Sequence, residues 1–329
     1  MKIVKLYEFG EPEVLQIEET KKPVPKENEV IIKVENIALN YSEIQQRKGT
    51  YPFPLQLPTT IGQWGVVSGK VIEVGNGVTA ISKQAKVMAQ IPNGSYAEYV
   101  AVSEGLLVPL PDHIDIMVAT ALLTQGQSAY HALKTVGNMK KGEIVLIHAG
   151  SGGLGSLAIQ MAKAFGAKKI IATASSQEKI DYALSMGANV GINYSERGWI
   201  KEVLKATNGN GVDLILESVG GDVLEGSIKV LSQFGRLLYI GSSSAKEQVW
   251  DRLNLVNILS NKTIIGFNIA HLLSNRPELV REGLEYMFGL MMNNLLNPHI
   301  KHVFPFSEVK KAHELIESRK SVGTVILKP

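Results

Sequence analysis

A glycine-rich turn between a candidate strand and a candidate helix constrains the fold of this chain more than any other feature. Residues 150–155 are Gly-Ser-Gly-Gly-Leu-Gly, which fits the pattern G-x-G-x-x-G. They follow the apolar run at 144–147 and precede a helical pattern over 154–165. A strand before the glycines and a helix after them is the setting that this pattern requires, so the sequence predicts a strand–helix–strand unit here.

Each glycine of the turn has its own physical reason. Gly150 permits the tight turn, Gly152 lets the backbone approach a pyrophosphate, and Gly155 lets the helix pack close to the sheet. The helix N-terminus offers unpaired N–H groups and the positive end of its dipole to phosphates. The alternative is an ordinary strand-to-helix turn rich in glycine. We predict that a dinucleotide is bound by Gly150, Ser151, Gly152, Gly153, Leu154 and Gly155.

Strand and helix patterns alternate after this turn. Further strands are predicted at 170–174, 189–193, 212–217 and 236–240, with helices at 178–186, 199–207 and 222–232. The strands are continuous apolar runs, which is typical of a parallel sheet covered on both faces. The fold class is therefore α/β. The region from about 251 to 295 is predicted to be mostly helical, and the chain ends with a helix at 307–318 and a strand at 322–327.

The first third of the chain has a different pattern. Strands are predicted at 30–34, 66–74 and 85–90, separated by turn signals, and a helical pattern over 116–133 follows them. A length of 329 residues favours two domains, at roughly 100–200 residues each. We therefore expect an irregular β-rich domain before the α/β domain.

Composition excludes several classes of function. The chain has no cysteine, which removes disulfides, thiolate zinc sites and cysteine nucleophiles. The 34 Lys and Arg against 31 Asp and Glu are too evenly balanced to indicate nucleic acid binding. No apolar run approaches the roughly 18 residues of a membrane span, and the seven His residues show no metal-ligand spacing. We expect a cytoplasmic protein that binds no metal, nucleic acid or membrane.

The end of the second α/β strand indicates which nicotinamide cofactor is used. NAD-specific folds place a carboxylate there to bond the ribose 2′-hydroxyl, whereas this chain has Ser175 and Ser176, followed by Lys179. Hydroxyls and a cation suit a 2′-phosphate, so the sequence predicts NADPH. Glu178 is interpreted as an acid in the first helical turn. The two serines also suit a helix N-cap, and the two roles are compatible.

Short motifs along nearly the whole chain resemble one family. They include Asn40-Tyr41-Ser42-Glu43, Val71-Ile72-Glu73-Val74-Gly75, Gly126-Gln127-Ser128-Ala129-Tyr130, Glu217-Ser218-Val219-Gly220-Gly221 and the segment from Ala312 to Arg319. In order and spacing the sequence resembles the zinc-independent quinone oxidoreductases, the zeta-crystallin group of the medium-chain dehydrogenase/reductase superfamily. The resemblance implies a GroES-like domain over 1–121 and 266–329 and a doubly wound Rossmann domain over 122–265. It also implies NADPH, an active site between the domains and a homodimer.

The resemblance carries cofactor-binding positions onto this chain. Lys179, Tyr194 and Arg319 match residues that contact the 2′-phosphate in the family. Gly241 with Ser242, and the segment from Phe267 to Ile269, match backbone that flanks the nicotinamide. The further cofactor positions that it implies are Ser128 and Ser218.

Substrate-side positions are implied in the same way. Asn40 and Tyr51 match residues beside the nicotinamide, and Tyr41 is a second candidate. A neutral tyrosine donates a hydrogen bond to a developing oxyanion and can supply its proton. Alternatively, Tyr51 is a wall residue without a proton role. Glu43 and Arg47 are four residues apart on a predicted helix, where they can form an ion pair, and we expect them to hold the Asn40 loop.

One segment departs from the family pattern. Residues 63–69 carry Trp64 near the position where relatives have an acid. This departure leaves the substrate class open. The leading hypothesis is an NADPH-dependent reductase of quinones or α,β-unsaturated carbonyls. The alternatives are an enoyl-thioester reductase, served by an acyl carrier protein, and a non-enzymatic NADPH-binding protein of the crystallin type.

Overall fold

The chain forms two compact units. The structure is a computed structural model that describes residues 1–53, 55–243 and 255–329. The first unit comprises 1–124 and 298–329, and the second comprises 125–297. The chain therefore leaves the first unit once and returns to it at the end.

The first unit contains two sheets. Its strands are β1 (Lys2–Leu6), β2 (Leu15–Glu19), β3 (Glu29–Leu39), β4 (Thr59–Thr60), β5 (Gly65–Val74), β6 (Lys86–Ile91), β7 (Tyr99–Ser103), β8 (Leu107–Pro109), β15 (Ile300–Pro305) and β16 (Thr324–Lys328). A three-stranded sheet has the order β2-β1-β4, and a seven-stranded sheet has the order β15-β16-β3-β5-β6-β8, with β7 also paired to β3. Its helices are α1 (Tyr41–Lys48), α2 (Ile116–Ala121) and α10 (Val309–Glu317).

The long strand β3 organises this unit. Its first half pairs with β7 and its second half pairs antiparallel with β16, while β5 runs along its other edge. Apolar side chains of β3, β5, β6 and β16 share one buried core with those of β1. The last strand of the chain thus completes the sheet of the first unit.

The second unit is a parallel sheet covered by helices. Its strands are β9 (Ile144–Ile147), β10 (Lys169–Ala174), β11 (Val190–Asn193), β12 (Val212–Glu217), β13 (Leu231–Tyr239) and β14 (Thr263–Gly266). Its helices are α3 (Gln127–His131), α4 (Gly153–Ala164), α5 (Gln177–Ser185), α6 (Trp199–Ala206), α7 (Gly221–Val230), α8 (Ile269–Asn275) and α9 (Pro277–Met292). The strand order β11-β10-β9-β12-β13-β14 reverses direction between β9 and β12, which is the doubly wound Rossmann arrangement. The predicted fold class is confirmed.

The unit boundaries differ from the predicted ones. The family resemblance implied boundaries at 121/122 and 265/266, whereas the compact units of the structure divide at 124/125 and 297/298. The first difference reflects a helical stretch that runs on from α2 through a π-helical turn into α3. The second arises because α9 packs on α3: the Gln127 side chain donates to the Val280 carbonyl at 2.7 Å, and Tyr130 donates to Glu282 at 2.8 Å. Segment 266–297 therefore belongs to the second unit.

One strand was missed in the region predicted to be mostly helical. Strand β14 pairs parallel with β13 at the sheet edge, and its β-branched residues favour a strand. Residues 251–254 of that region lie outside the described residues. Within the described part of the chain, no helix is long and apolar enough to cross a membrane.

Candidate functional site

The predicted cofactor residues of the second unit follow the carboxyl ends of its parallel strands. The turn 150–155 follows β9, Ser175 and Ser176 follow β10, Tyr194 follows β11, Ser218 follows β12, Gly241 follows β13, and Phe267 and Ile269 follow β14. Because carboxyl ends of parallel strands meet at one edge of a sheet, the fold brings these positions together at the place where α/β sheets bind ligands. Ser128 is a buried residue of α3, and Arg319 lies in the first unit.

The glycine turn has the expected close packing, with one change in its detail. The left-handed residue of the turn is Ala149, at φ 50°, while Gly150 is not left-handed. Gly150 is needed for another reason, because an added Cβ would lie 2.9 Å from Ala172 Cβ. At Gly155 a Cβ would lie 2.3 Å from the Ala149 carbonyl oxygen. Gly155 therefore allows the helix to lie close to the turn that follows β9, while the sequence predicted close packing of the helix on the sheet.

The start of α4 is open toward a ligand. Gly152 is the N-cap residue, and no side chain caps the helix there. A Cβ at Gly152 would meet only the Ala149 carbonyl, at 3.4 Å. The first N–H groups of a helix have no partner within the helix, so this uncapped terminus offers them to an anion.

Candidate residues for the 2′-phosphate lie beside one another at the end of β10. Ser176 is the N-cap residue of α5, and its side chain makes no capping hydrogen bond. Lys179 lies in the first turn of that helix and is half-buried. The Tyr194 backbone N–H donates to the Ala174 carbonyl at 3.1 Å, which places Tyr194 next to the serine pair. The hydroxyls of Ser175 and Ser176, the phenol of Tyr194 and the ammonium of Lys179 thus belong to residues that follow β10 and β11 at neighbouring positions of the sheet edge.

Loops after β12, β13 and β14 are joined through their backbones. The Ser243 N–H donates to the Ser218 carbonyl at 3.1 Å, and the Phe267 N–H donates to the Tyr239 carbonyl at 3.0 Å. Among the described residues, a Cβ at Gly241 would meet no atom within 4 Å. That Gly241 flanks the nicotinamide stays a prediction.

Asn40 and Glu43 together cap helix α1 in the first unit. The two residues form a capping box, in which the Asn40 N–H donates to Glu43 Oε2 at 3.0 Å and the Ser42 hydroxyl donates to the same oxygen at 2.8 Å. Glu43 is 1% exposed, and burial raises its pKa to about 7. The expectation that Glu43 holds the Asn40 loop agrees with these contacts.

The two candidate tyrosines have different surroundings. Tyr51 follows Gly49, the left-handed residue that ends α1, and its ring contacts Phe53 edge-on at 5.7 Å between centroids. Burial and the negative charge of Glu43 raise the pKa of Tyr51. Burial also raises the pKa of Tyr41, which lies in the field of Lys48 and other charges. Both phenols therefore keep their protons at neutral pH, and Tyr51 is the one beside Glu43.

The predicted ion pair between Glu43 and Arg47 is wrong. Glu43 turns back to the N-terminus of α1, and the fully buried Arg47 instead bonds Glu317 of α10 at 2.5 Å. Lys48 also contacts Glu317. Arg319 lies just after α10 and has the left-handed conformation, at φ 58°. Its positive charge lowers the pKa of Tyr41, whereas burial raises that pKa.

The unusual segment 63–69 contains a strained turn and then a strand. Trp64 has φ 58°, and β5 begins at Gly65. The Gln46 side chain pairs with the Gln63 backbone in both directions, at 2.9 and 3.0 Å. This amide pair fixes the turn to α1. Among the described residues there is no group of three or more His, Asp or Glu side chains that could hold a metal ion.

Comparisons with known proteins match both units of the chain to known families. Residues 26–112 match the alcohol dehydrogenase GroES-like domain, and residues 153–285 match the family named zinc-binding dehydrogenase. A quinone oxidoreductase of Pseudomonas aeruginosa is 33% identical over 98% of this chain and 97% of its own length. Two solved structures superpose on this chain with TM-scores of 0.92, and each match covers 100% of both chains. One is a mycobacterial protein complexed with NADPH, which is 30% identical. The other is Escherichia coli quinone oxidoreductase complexed with NADPH, which is 29% identical.

Proposed function

The chain belongs to the quinone oxidoreductase family of the medium-chain dehydrogenase/reductase superfamily, and from that premise we propose an NADPH-dependent oxidoreductase. Its substrate is a quinone or the conjugated C=C bond of an α,β-unsaturated carbonyl, and it works without zinc. The observation that carries the proposal is the set of candidate cofactor residues gathered at the carboxyl edge of the β9–β14 sheet.

The residues present fit NADPH. The uncapped start of α4 and the open backbone at Gly152 suit the pyrophosphate. Ser175, Ser176, Lys179 and Tyr194 suit a 2′-phosphate because a dianion needs donors and a cation. The candidate residue from the first unit is Arg319. NADPH, when bound, supplies the hydride.

Tyr51 is proposed to hold the proton that the substrate oxygen needs. Hydride addition to a conjugated carbonyl or quinone leaves negative charge on an oxygen, which a preorganised donor stabilises. The raised pKa of Tyr51 keeps its hydroxyl hydrogen in place for donation. The amide of Asn40 and the phenol of Tyr41 are further candidates, and Glu43 positions Asn40 through the helix cap.

The proposal of zinc-free chemistry is supported by the sequence. Without cysteine, the thiolate ligands typical of zinc-dependent dehydrogenases are missing. An alcohol must lose a proton to be oxidised, which a neutral phenol does not promote. A conjugated carbonyl needs only a hydrogen-bond donor, so the neutral tyrosine favours that substrate class.

Lys179→Ala tests the cofactor assignment. Hydrogen bonds to charged groups contribute about 1.5–3 kcal/mol, so we expect the KM for NADPH to rise about tenfold to a hundredfold while the KM for NADH stays unchanged. Lys205→Ala is the matched control, because Lys205 is exposed in the last turn of α6. Equal KM values for NADPH in wild type and Lys179→Ala would refute the assignment.

A substrate panel tests the reaction itself. Steady-state assays with NADPH against a simple quinone, a small enone and an enoyl thioester are expected to show turnover of the first two. Turnover of the thioester alone would favour an enoyl-thioester reductase, with an acyl carrier protein as partner. Tight NADPH binding without turnover of any would favour the crystallin-type protein. The homodimer remains a prediction, and light scattering tests it.

A further inference from the structure

A buried chain of polar side chains lies beneath the loops of the cofactor edge. Glu217 is the last residue of β12, His148 follows β9, and Ser227 lies in α7. All three are buried. Ser227 Oγ is 2.8 Å from Glu217 Oε2 and 2.8 Å from His148 Nε2, and His148 Nδ1 is 2.7 Å from the Thr173 hydroxyl of β10. These hydrogen bonds connect the three neighbouring strands β10, β9 and β12 with helix α7.

The hydrogen bonds of this network have one consistent direction. Burial lowers the pKa of His148, so its ring is neutral and carries one proton. With the Glu217 carboxylate as final acceptor, Ser227 donates to Glu217 and His148 Nε2 donates to Ser227. His148 Nδ1 then accepts from Thr173. Each polar atom of the network has a partner, and a fully satisfied buried network is rigid.

The second oxygen of Glu217 holds backbone. Glu217 Oε1 accepts from the N–H groups of Val219 at 2.7 Å and Gly220 at 2.9 Å. Gly220 is the N-cap of α7, so this carboxylate lies at the positive end of that helix dipole, which stabilises a negative charge. Glu217 therefore fixes the loop that contains the candidate residue Ser218.

This loop in turn fixes the next one. The Ile240 N–H donates to the Glu217 carbonyl at 2.8 Å. A Cβ at Gly220 would lie 2.3 Å from Ser242 Oγ, so the two loops are in direct contact. The candidate residue Gly241 lies between Ile240 and Ser242. A shift of the Glu217 carboxylate would therefore move both backbone segments proposed to line the cofactor.

We propose that Glu217, held by Ser227 and His148, is a positioning residue that sets the nicotinamide-side loops for hydride transfer. The proposal rests on the proposed function, because it assumes that NADPH binds at this edge. It assigns the network to the nicotinamide end of the cofactor. The 2′-phosphate end is bound by different residues, and Glu217 and Ser227 make no direct contact with those residues in the described hydrogen bonds.

Three variants separate positioning from folding. Glu217→Ala removes both acceptors, whereas Glu217→Gln keeps an oxygen for the two backbone N–H groups, and its amide donates to Ser227. The Ser227 proton then passes to the Val223 carbonyl, 2.7 Å away. Ser227→Ala removes the hydroxyl that connects Glu217 to His148. This variant tests the proposal if Glu217→Ala fails to fold. Thr207→Ala is the matched control, because it removes a buried hydroxyl that bonds the Val203 carbonyl before β12, at the opposite edge of the sheet.

Two binding measurements and the rate of NADPH oxidation show which end of the cofactor site a variant changes. Adenosine 2′,5′-bisphosphate carries the phosphate end of the cofactor without the nicotinamide, and the emission of bound NADPH reports the nicotinamide. A misplacement of about 1 Å can cost about a hundredfold in rate. We therefore expect NADPH oxidation to slow about a hundredfold in Glu217→Ala and about tenfold in Ser227→Ala, and to stay within about twofold of wild type in Glu217→Gln and Thr207→Ala.

The expected pattern also includes altered emission of bound NADPH in the two alanine variants and unchanged affinity for the bisphosphate. The deuterium isotope effect with NADPH deuterated at nicotinamide C4 should rise in those variants, since hydride transfer becomes slower. Wild-type rates and emission in folded alanine variants would overturn the proposal. So would equal loss of bisphosphate and NADPH affinity, or a Glu217→Gln enzyme as impaired as Glu217→Ala. A wild-type chain that fails to bind NADPH refutes the proposed function itself, before any variant is measured.

Discussion

Replacing Glu43 with glutamine should change how the stability of the protein depends on pH. Glu43 is buried in the cap of α1, where Oε2 accepts two hydrogen bonds and the buried Oε1 has no hydrogen-bond partner in the described part of the chain. Burial therefore raises its pKa from 4.5 to about 7. Glutamine has nearly the same shape and an oxygen for the cap, but it does not titrate.

The sign and size of the effect follow from linkage. Between pH 4.5 and 7 the folded chain keeps the Glu43 proton that the unfolded chain has lost, so the contribution of this residue to the free energy of unfolding falls as pH rises. Below 4.5 both states are protonated, and above 7 the loss is complete. With these two pKa values, the loss between pH 5 and pH 8 amounts to about 2.5 kcal/mol.

Urea unfolding of wild type and Glu43→Gln at pH 5, 6, 7 and 8 measures this directly. The difference between their free energies of unfolding should shift by about 2.5 kcal/mol in favour of the glutamine variant across that range, while groups that titrate in both proteins cancel. A pH-independent difference for Glu43→Gln, or one of opposite sign, would refute the reasoning.

Three other changes, the first with a matched control, have defined outcomes. Gly155→Ala should destabilise the chain by about 1–3 kcal/mol and abolish NADPH binding, since the new Cβ would lie 2.3 Å from the Ala149 carbonyl oxygen. The control is Gly289→Ala, whose Cβ would meet no atom of the described residues within 4 Å, so it should raise the melting temperature slightly. Tyr51→Phe should lower kcat about a hundredfold with NADPH affinity unchanged by titration. Phe234→Asn should stabilise by about 1 kcal/mol in thermal unfolding, because Phe234 is exposed at φ 62°.

Most of the α/β unit could be predicted because its signals are local. The apolar run 144–147 and the glycines after it give strand β9 and the start of α4 almost to the residue. The same holds for β10, β11 and β12, which the sequence predicted at 170–174, 189–193 and 212–217 and which the structure places within one residue of those bounds. The gathering of the candidate cofactor residues then follows from topology, since the carboxyl ends of parallel strands share an edge.

The sequence could not predict which of two nearby partners a charged side chain binds. Glu43 lies at the right spacing both for the N-cap and for Arg47, and the sequence alone does not rank these options. The structure resolves the choice because Arg47 finds Glu317, 270 residues further along the chain. In the glycine turn, packing against Ala172 explains Gly150, while the left-handed conformation falls on Ala149.

The same limit applies to the second boundary between the units. Segment 266–297 is assigned by contacts between α9 and α3, which are more than a hundred residues apart in sequence. Helical periodicity gives the length of α9 but not the surface that it covers. Strand β14 is only four residues long, too short for its apolar run to be distinguished from a buried helix.

Two buried glutamates, one in each unit, hold loops that contain candidate residues, and they differ in which of their oxygens accept hydrogen bonds. Glu217 accepts two backbone N–H groups and a hydroxyl at the start of α7, so both of its oxygens have donors. Among the described residues, Glu43 at the start of α1 has donors on one oxygen only, and its pKa rises to about 7. Since His148 beside Glu217 has a lowered pKa, neutral pH lies in the titration range of the Asn40 cap but above that of His148. We therefore expect changes of pH between 6 and 8 to act on the Asn40 cap of the first unit.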